Sequence, residues 1–337
     1  MTIKTMILAG DIGGTKTNVA LLETDGRRVG PVTAEQTFKS ADYDSLEKIV
    51  AEFLASEHEP RLTHACFGVA GPVVDGRVDA TNLKWDVSAD SLAGLLRISR
   101  LTIINDLEAT AYGIEALSPD QLYTLNEGDT TRGGNRALIA AGTGLGMAGI
   151  VWHQSHYHPV PSEGGHTDFA PRNPLEVELL EHLLKNEEYG GHVSYERVLS
   201  GPGLFNLYSF LRDTNFAAEP DWLAAELAGA SDTSATVSSA ALAKRCALAV
   251  KALDMFVEIY GAMAGNLALL LIATGGCYVG GGIAPKIISK LKDGAFLDSF
   301  MAKGRFHSLL ASMPVHVILD DKTALYGAAR KALQTGV

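Results

Sequence analysis

The chain has 337 residues, 47% of them hydrophobic and 20% charged, a balance that suits a globular protein of about two domains. A formal net charge of −11 argues against a nucleic-acid-binding surface, so an anionic ligand has to be held locally, by main-chain amides or a metal ion. Cys66, Cys246 and Cys277 are scattered and lack CxxC spacing, which argues against a disulfide framework or a cysteine zinc site and fits a reducing cytoplasm; residues 1–20 carry no export signal.

The first element is Met6 to Thr24, MILAGDIGGTKTNVALLET. Gly10, Lys16 and Thr17 stand where a Walker A loop would place them, but Thr15 replaces the glycine before the lysine. Thr17 to Leu22 is β-branched and apolar, not a capped helix start. Strand, glycine turn and strand predict a β-hairpin whose glycines can take positive φ and leave main-chain N–H groups open to a phosphate. A helix over Ser45 to Ala55 follows, with Leu46, Ile49, Val50 and Phe53 on one face, then strands Ala65 to Val69 and Leu101 to Ile104. Asn82 and Trp85 fall in a loop, Trp85 most simply as core. Asn105 and Asp106 end the second of these strands, at the sheet edge where α/β proteins bind ligands. A carboxylate there can take a proton from an attacking hydroxyl; an Asx turn or helix N-cap is the competing reading.

Ala137 to Val151, ALIAAGTGLGMAGIV, echoes the opening: strand, Gly-Thr-Gly turn, strand. SEGGHTDFAP, Ser162 to Pro171, joins Glu163 and His166 around a glycine turn, a pair suited to the hydroxyls of a sugar, with metal binding through Asp168 as the rival. His153, His156 and His158 read as solvated surface. HVSYERVLSGPGL places Glu196 beside Arg197 before a glycine-rich break, where an intrahelical ion pair is the alternative to a ligand contact. Ala218 to Ser239 reads as a connection between helices, and Leu242 to Leu271 as a helix. No Asp, Glu, Lys or Arg occurs between Glu258 and Lys286, but glycine clusters and Asn266 divide that run into a buried helix, a buried strand and the turn of CYVGGGIAP. Val315 to Leu319 and Thr323 to Leu333 close the chain as strand and helix.

Read in order, GDIGGTKTNVAL, GVAGPV, TNLKW, IINDLEA, AAGTGLGMA, PSEGGHTDFAP, HVSYERVLSGPG and GGGIAPK resemble the bacterial glucokinase family over nearly the whole chain. The resemblance implies an α/β, two-domain actin-like ATPase (ribonuclease H-like) fold with a cleft between a small domain, 1–116 plus about 318–337, and a large one, 117–317. It implies transfer of the γ-phosphoryl group of MgATP to the 6-hydroxyl of glucose, with Asp106 as general base. Asn105, Asp106, Glu163, His166 and Glu196 match the family's glucose contacts. Asp11, Gly13, Gly14, Thr15, Lys16 and Thr17, with Gly142, Thr143 and Gly144, match its phosphate loops, and Gly281 and Gly282 its adenosine contact; Asp11 is expected to reach Mg2+ through water. Sugar-driven closure of the two domains, with Gly113 as hinge, keeps water from the phosphoryl group. A homodimer in the cytoplasm is the family's common form.

Lys16 departs from members that carry Asn followed by Ala, and resembles the related ROK sugar kinases and repressors. TDFAPRNPLEVE after His166 lacks their cysteine motif, so no structural zinc is expected. Without a helix-turn-helix segment before Met6 a sugar-responsive regulator is the lesser alternative, as is a filament-forming actin relative; a kinase of another hexose, mannose or glucosamine, stays open.

Overall fold

The computed structural model describes residues 5–58, 60–78, 83 and 85–334, so Asn82 lies outside the described residues. The chain divides into two compact units, one of Met1–Ser118, Tyr157–Pro161 and Asp320–Val337, the other of Pro119–His156 and Ser162–Leu319. In the first, β1 (Thr5–Ile12), β2 (Lys16–Thr24), β3 (Val29–Lys39), β4 (Leu62–Val69) and β5 (Leu101–Asn105) form one sheet in the order β3-β2-β1-β4-β5. β1 pairs antiparallel with β2 and parallel with β4, which pairs parallel with β5. Central strands covered on both faces need unbroken apolar runs rather than alternation. Accordingly Leu8, Ile12 and Phe67 pack with Leu46, Ile49 and Phe53 of α1 (Leu46–Ser56) on one face. Ile7, Ala9 and Cys66 pack on the other with Ala109 of α2 (Asp106–Gly113) and Ala324 and Ala328 of the last helix, Thr323–Gln334.

The second unit repeats this plan. β6 (Leu122–Asn126), β7 (Arg136–Ala141), β8 (Leu145–His153), β9 (Cys277–Gly280) and β10 (Val315–Ile318) run β8-β7-β9-β10-β6 across their sheet. β7 and β8 are an antiparallel hairpin, and β9 and β10 continue from β7 in parallel. β8-β7-β9-β10 thus has the sense of β2-β1-β4-β5, and the sequence echo is an echo of topology. The helices of this unit include α3 (Gly201–Asp213), α4 (Thr233–Leu242) and α5 (Ala247–Leu271). α5 is apolar nearly all round because it is buried in the unit's core, which accounts for the uncharged run. Among the described residues no helix is long and apolar enough to cross a membrane.

Three local expectations are corrected. The Ser/Thr-rich stretch read as a connection contains Asp221–Gly229 and α4: the Asp232 carboxylate accepts from the Ala235 N–H at 3.0 Å, and buried Val237, Ala240 and Ala241 outweigh the weak propensities. The helix expected from Leu242 starts at Ala247, because Lys244, φ 54°, breaks the run. Gly201-Pro202-Gly203, read as a break, is the first turn of α3, where proline is tolerated and Ser200 Oγ accepts from the Gly203 N–H at 3.0 Å. Gly113, the expected hinge, ends α2 in helical backbone at φ −71°, ψ −28°; a side chain there would run into the Thr323 carbonyl, as one at Gly327 would run into that of Ala109.

Candidate active site

The first glycine turn is a hairpin. Ile12 pairs with Thr17, and the Gly13 N–H donates to the Lys16 carbonyl at 2.9 Å. Gly13 is outside the left-handed region, so it answers a close approach, a β-carbon there sitting 3.2 Å from the Lys16 carbonyl oxygen, rather than a positive φ. Thr15 and Lys16 are exposed. Thr17 is fully buried, with its Oγ1 3.0 Å from Ser40 Oγ; it stands behind the turn. Ser40 Oγ donates to the Gly13 carbonyl at 2.7 Å, and the Ser40 N–H donates to the Thr15 carbonyl at 3.1 Å. Ser40 is therefore the brace of the turn, a residue that sequence reasoning did not single out.

Asp11 lies opposite Asn18 across this hairpin, and Asn18 is opposite Thr37 on β3. Thr37 Oγ1 donates to Asn18 Oδ1 at 2.8 Å, which turns the amide nitrogen of Asn18 toward Asp11. Burial raises the Asp11 carboxyl to about 6; the negative charge of Asp106 adds to the rise, the Asn18 hydrogen bond opposes it, and Asp321 adds again.

Asn105 is the N-cap of α2, in extended backbone at φ −66°, ψ 150°. Its Oδ1 accepts from the Leu107 N–H at 2.9 Å, and its Nδ2 donates to the Gly71 carbonyl at 3.0 Å. The capping reading of Asn105 thus holds as geometry, and one amide hydrogen is left over for a ligand. Asp106 opens α2 directly after β5, and its Oδ1 accepts from the Leu107 N–H at 2.9 Å. Cap, strand end and helix start position both residues.

In the second unit Ala141 pairs with Leu145 around Gly142, Thr143 and Gly144, and the Gly142 N–H donates to the Gly144 carbonyl at 2.8 Å. Gly13 and Gly142 both spend their amides closing their own turns. The Gly201 N–H donates to the Gly142 carbonyl at 2.8 Å. Glu196 lies in the short 3-10 turn Tyr195–Arg197, and its Oε2 accepts from the Leu145 N–H at 2.9 Å. Arg197 instead lies over the Tyr189 ring, 4.5 Å from its centroid, so no ion pair forms between the neighbours. Glu163 precedes the turn Gly164–His166, and both side chains are exposed. The Tyr195 N–H donates to the Thr167 carbonyl at 2.9 Å and Asp168 bridges Ser194, so the segments carrying Glu163, His166 and Glu196 are tied together.

Gly281 follows β9 at φ 82°, where a side chain would run into Ala141 at the end of β7; Gly282 is open. Beneath these strand ends the buried Tyr260 hydroxyl accepts from the Ala141 N–H at 3.2 Å and lies 3.3 Å from the carbonyls of Ile139 and Gly280. It too was not foreseen, because only packing brings α5 under that edge. Among the described residues no three His, Cys, Asp or Glu side chains gather as a metal site, the His153 to His158 run included. Trp85 is core, its Nε1 donating to the Tyr43 carbonyl at 3.1 Å.

The sequence model of the glucokinase family matches residues 8–335. Glucokinase of Nostoc punctiforme is 42% identical over 335 residues, covering 96% of this chain and 98% of that protein. The glucokinase structure from an Antarctic psychrotroph has a TM-score of 0.81 at 31% identity, over 99% of this chain and 100% of its own. A ROK family glucokinase from Streptomyces griseus, solved in complex with glucose and AMPPNP, shares the fold at a TM-score of 0.65 and 21% identity, over 98% of this chain and 99% of its own. These neighbours have the two-domain actin-like ATPase fold, and so does this chain.

Proposed function

The chain belongs to the glucokinase family, and from that premise we propose that it makes glucose 6-phosphate by moving the γ-phosphoryl group of ATP onto the 6-hydroxyl of glucose, with Asp106 as general base. It is an ATP-dependent hexose kinase. The observation that carries the assignment of Asp106 is its place at the junction of β5 and α2, held by the Asn105 cap and close enough to Asp11 to raise that carboxyl. A carboxylate at a strand's C-terminal end can accept the hydroxyl proton while the oxygen attacks phosphorus. Phosphoryl transfer of this kind depends on positioning and on electrostatic stabilisation of charge spread over the phosphoryl oxygens. The amides of Gly14, Thr15, Thr143 and Gly144, with Lys16, supply that stabilisation. Glu163, His166, Glu196 and Asn105 pair the remaining hydroxyls, and Gly281 and Gly282 give the adenosine room.

Asp11 suits a divalent cation: burial and two further carboxylates oppose its charge, and a nearby positive ion relieves all three. Mg2+ typically uses one or two carboxylates and several waters besides the phosphates, a set that Asp11 can join. A Mg2+ ion held there through water would supply positive charge against that of the transferred phosphoryl group. The small domain, 1–116 with about 318–337, and the large one, 117–317, close on the sugar in this reading and exclude water as nucleophile. A cytoplasmic homodimer completes it.

The test is ATP-dependent formation of glucose 6-phosphate by wild type, Asp106→Ala and Asp106→Asn, run with glucose, mannose and glucosamine. Glucose is expected to be preferred, and both variants to lose at least ~10² in kcat with hexose binding retained. Near-normal turnover in either variant removes Asp106 from the role.

A further inference from the structure

Leu145 closes the second glycine turn, and its backbone lies against the segments that carry Glu163, His166 and Glu196. Its N–H donates to Glu196 Oε2 at 2.9 Å. Its carbonyl lies so close to Gly165 that any β-carbon there would run into it. The Glu196 carboxylate also fills the space beside Gly144, where a β-carbon would sit 2.5 Å from Oε2. Behind it, Ser200 Oγ donates to the Glu196 carbonyl at 2.7 Å and accepts from the Gly203 N–H, while the Gly201 N–H holds the Gly142 carbonyl. One bracket, Glu196 to Gly203, therefore grips the turn at both its ends.

A carboxylate beside a phosphate-binding turn is opposed by the anion's charge, so attraction to phosphate does not explain its place there. Its hydrogen bond does: a charged acceptor on the Leu145 amide fixes the hairpin at the residue after Gly144, and with it the direction of the neighbouring N–H groups. We propose that Glu196 is the positioning residue of the Gly142–Gly144 phosphate turn, a role separate from its sugar contact and resting on the hexose-kinase reading above. The same side chain then meets the hexose and sets the nucleotide's turn, all within one unit.

The experiment measures MgADP affinity of the full chain by calorimetry without sugar and without turnover, with circular dichroism to establish folding. Glu196→Ala is expected to weaken MgADP binding about tenfold or more, the usual size for a lost hydrogen bond to a charged group. Glu196→Gln keeps a neutral oxygen acceptor for the Leu145 N–H, so it is expected to lose clearly less MgADP affinity than Glu196→Ala while losing hexose affinity. Gly144→Ala drives the carboxylate off from the other side and should reproduce the alanine loss, with no further loss in combination with Glu196→Ala. Equal MgADP affinity in Glu196→Ala and wild type, or equal losses in the Ala and Gln variants, overturns the proposal; if Glu196→Ala does not fold, Glu196→Asp, whose shorter side chain draws the carboxylate back from the Leu145 N–H, carries the comparison with the Gln variant. Wild type that binds MgADP and phosphorylates glucose leaves the kinase reading intact in each of these cases.

Discussion

Asp11 is a carboxyl whose surroundings oppose its charge, and the sign of the consequence can be stated. With its pKa in the folded chain raised to about 6, Asp11 loses its charge as pH falls through about 6, and with it the attraction for a cation. kcat/KM for ATP is therefore expected to show an acid limb near pH 6. A profile flat from pH 7 to pH 5 rejects this. Linkage gives a second readout: the stability that protonated Asp11 contributes is fully present below its unfolded value and is lost as pH rises through about 6. Asp11→Asn should therefore be more stable than wild type at pH 8, the gap narrowing toward pH 5, while activity is lost. Asp11 and Asp106 were legible because motif order places them at strand ends. Ser40 was not, since only the pairing of Thr17 with Phe38 across β2 and β3 brings it to the turn 23 residues earlier in the chain.

The two hairpins were readable because a glycine turn between apolar runs has one cheap solution, and α1 because its apolar spacing and Ser45 cap agree. β3 was not: most of its residues are exposed, so no buried pattern marks it, and it exists by pairing with β2. α4 was hidden by its Ser/Thr content and revealed by burial. At the end of α5, Ile272 adopts φ 49°, ψ 57° and is 54% exposed. The Ala273 N–H donates to the Ala268 carbonyl at 2.9 Å, the bond that normally accompanies a left-handed glycine after a helix. A β-branched side chain is strained there by about 1–2 kcal/mol, and glycine removes that strain while losing some of the gain to a freer unfolded chain. Ile272→Gly is expected to stabilise by roughly 1 kcal/mol, a rise of about 2–4 °C in thermal unfolding. An unchanged or lower midpoint counts against the strain.

All three cysteines are buried. Burial pushes the Cys277 thiol up to about 12 and that of Cys66 well above the ordinary range. The native chain should therefore give almost no reaction with an aromatic disulfide reagent in minutes, and three thiols after denaturation; rapid native reaction at any site contradicts the burial. Two units and their α/β character were legible from length and alternation. The way the chain passes between them was less so, because it depends on which helix finds which sheet. The last helix backs β1, β4 and α2, meeting α2 where Gly113 and Gly327 admit carbonyl oxygens. A ribosome therefore delivers Asp11, Asn105 and Asp106 long before the backing they require. A chain cut before Thr323 would still carry all five strands of that sheet, yet one of its faces would lie without the helix that covers it.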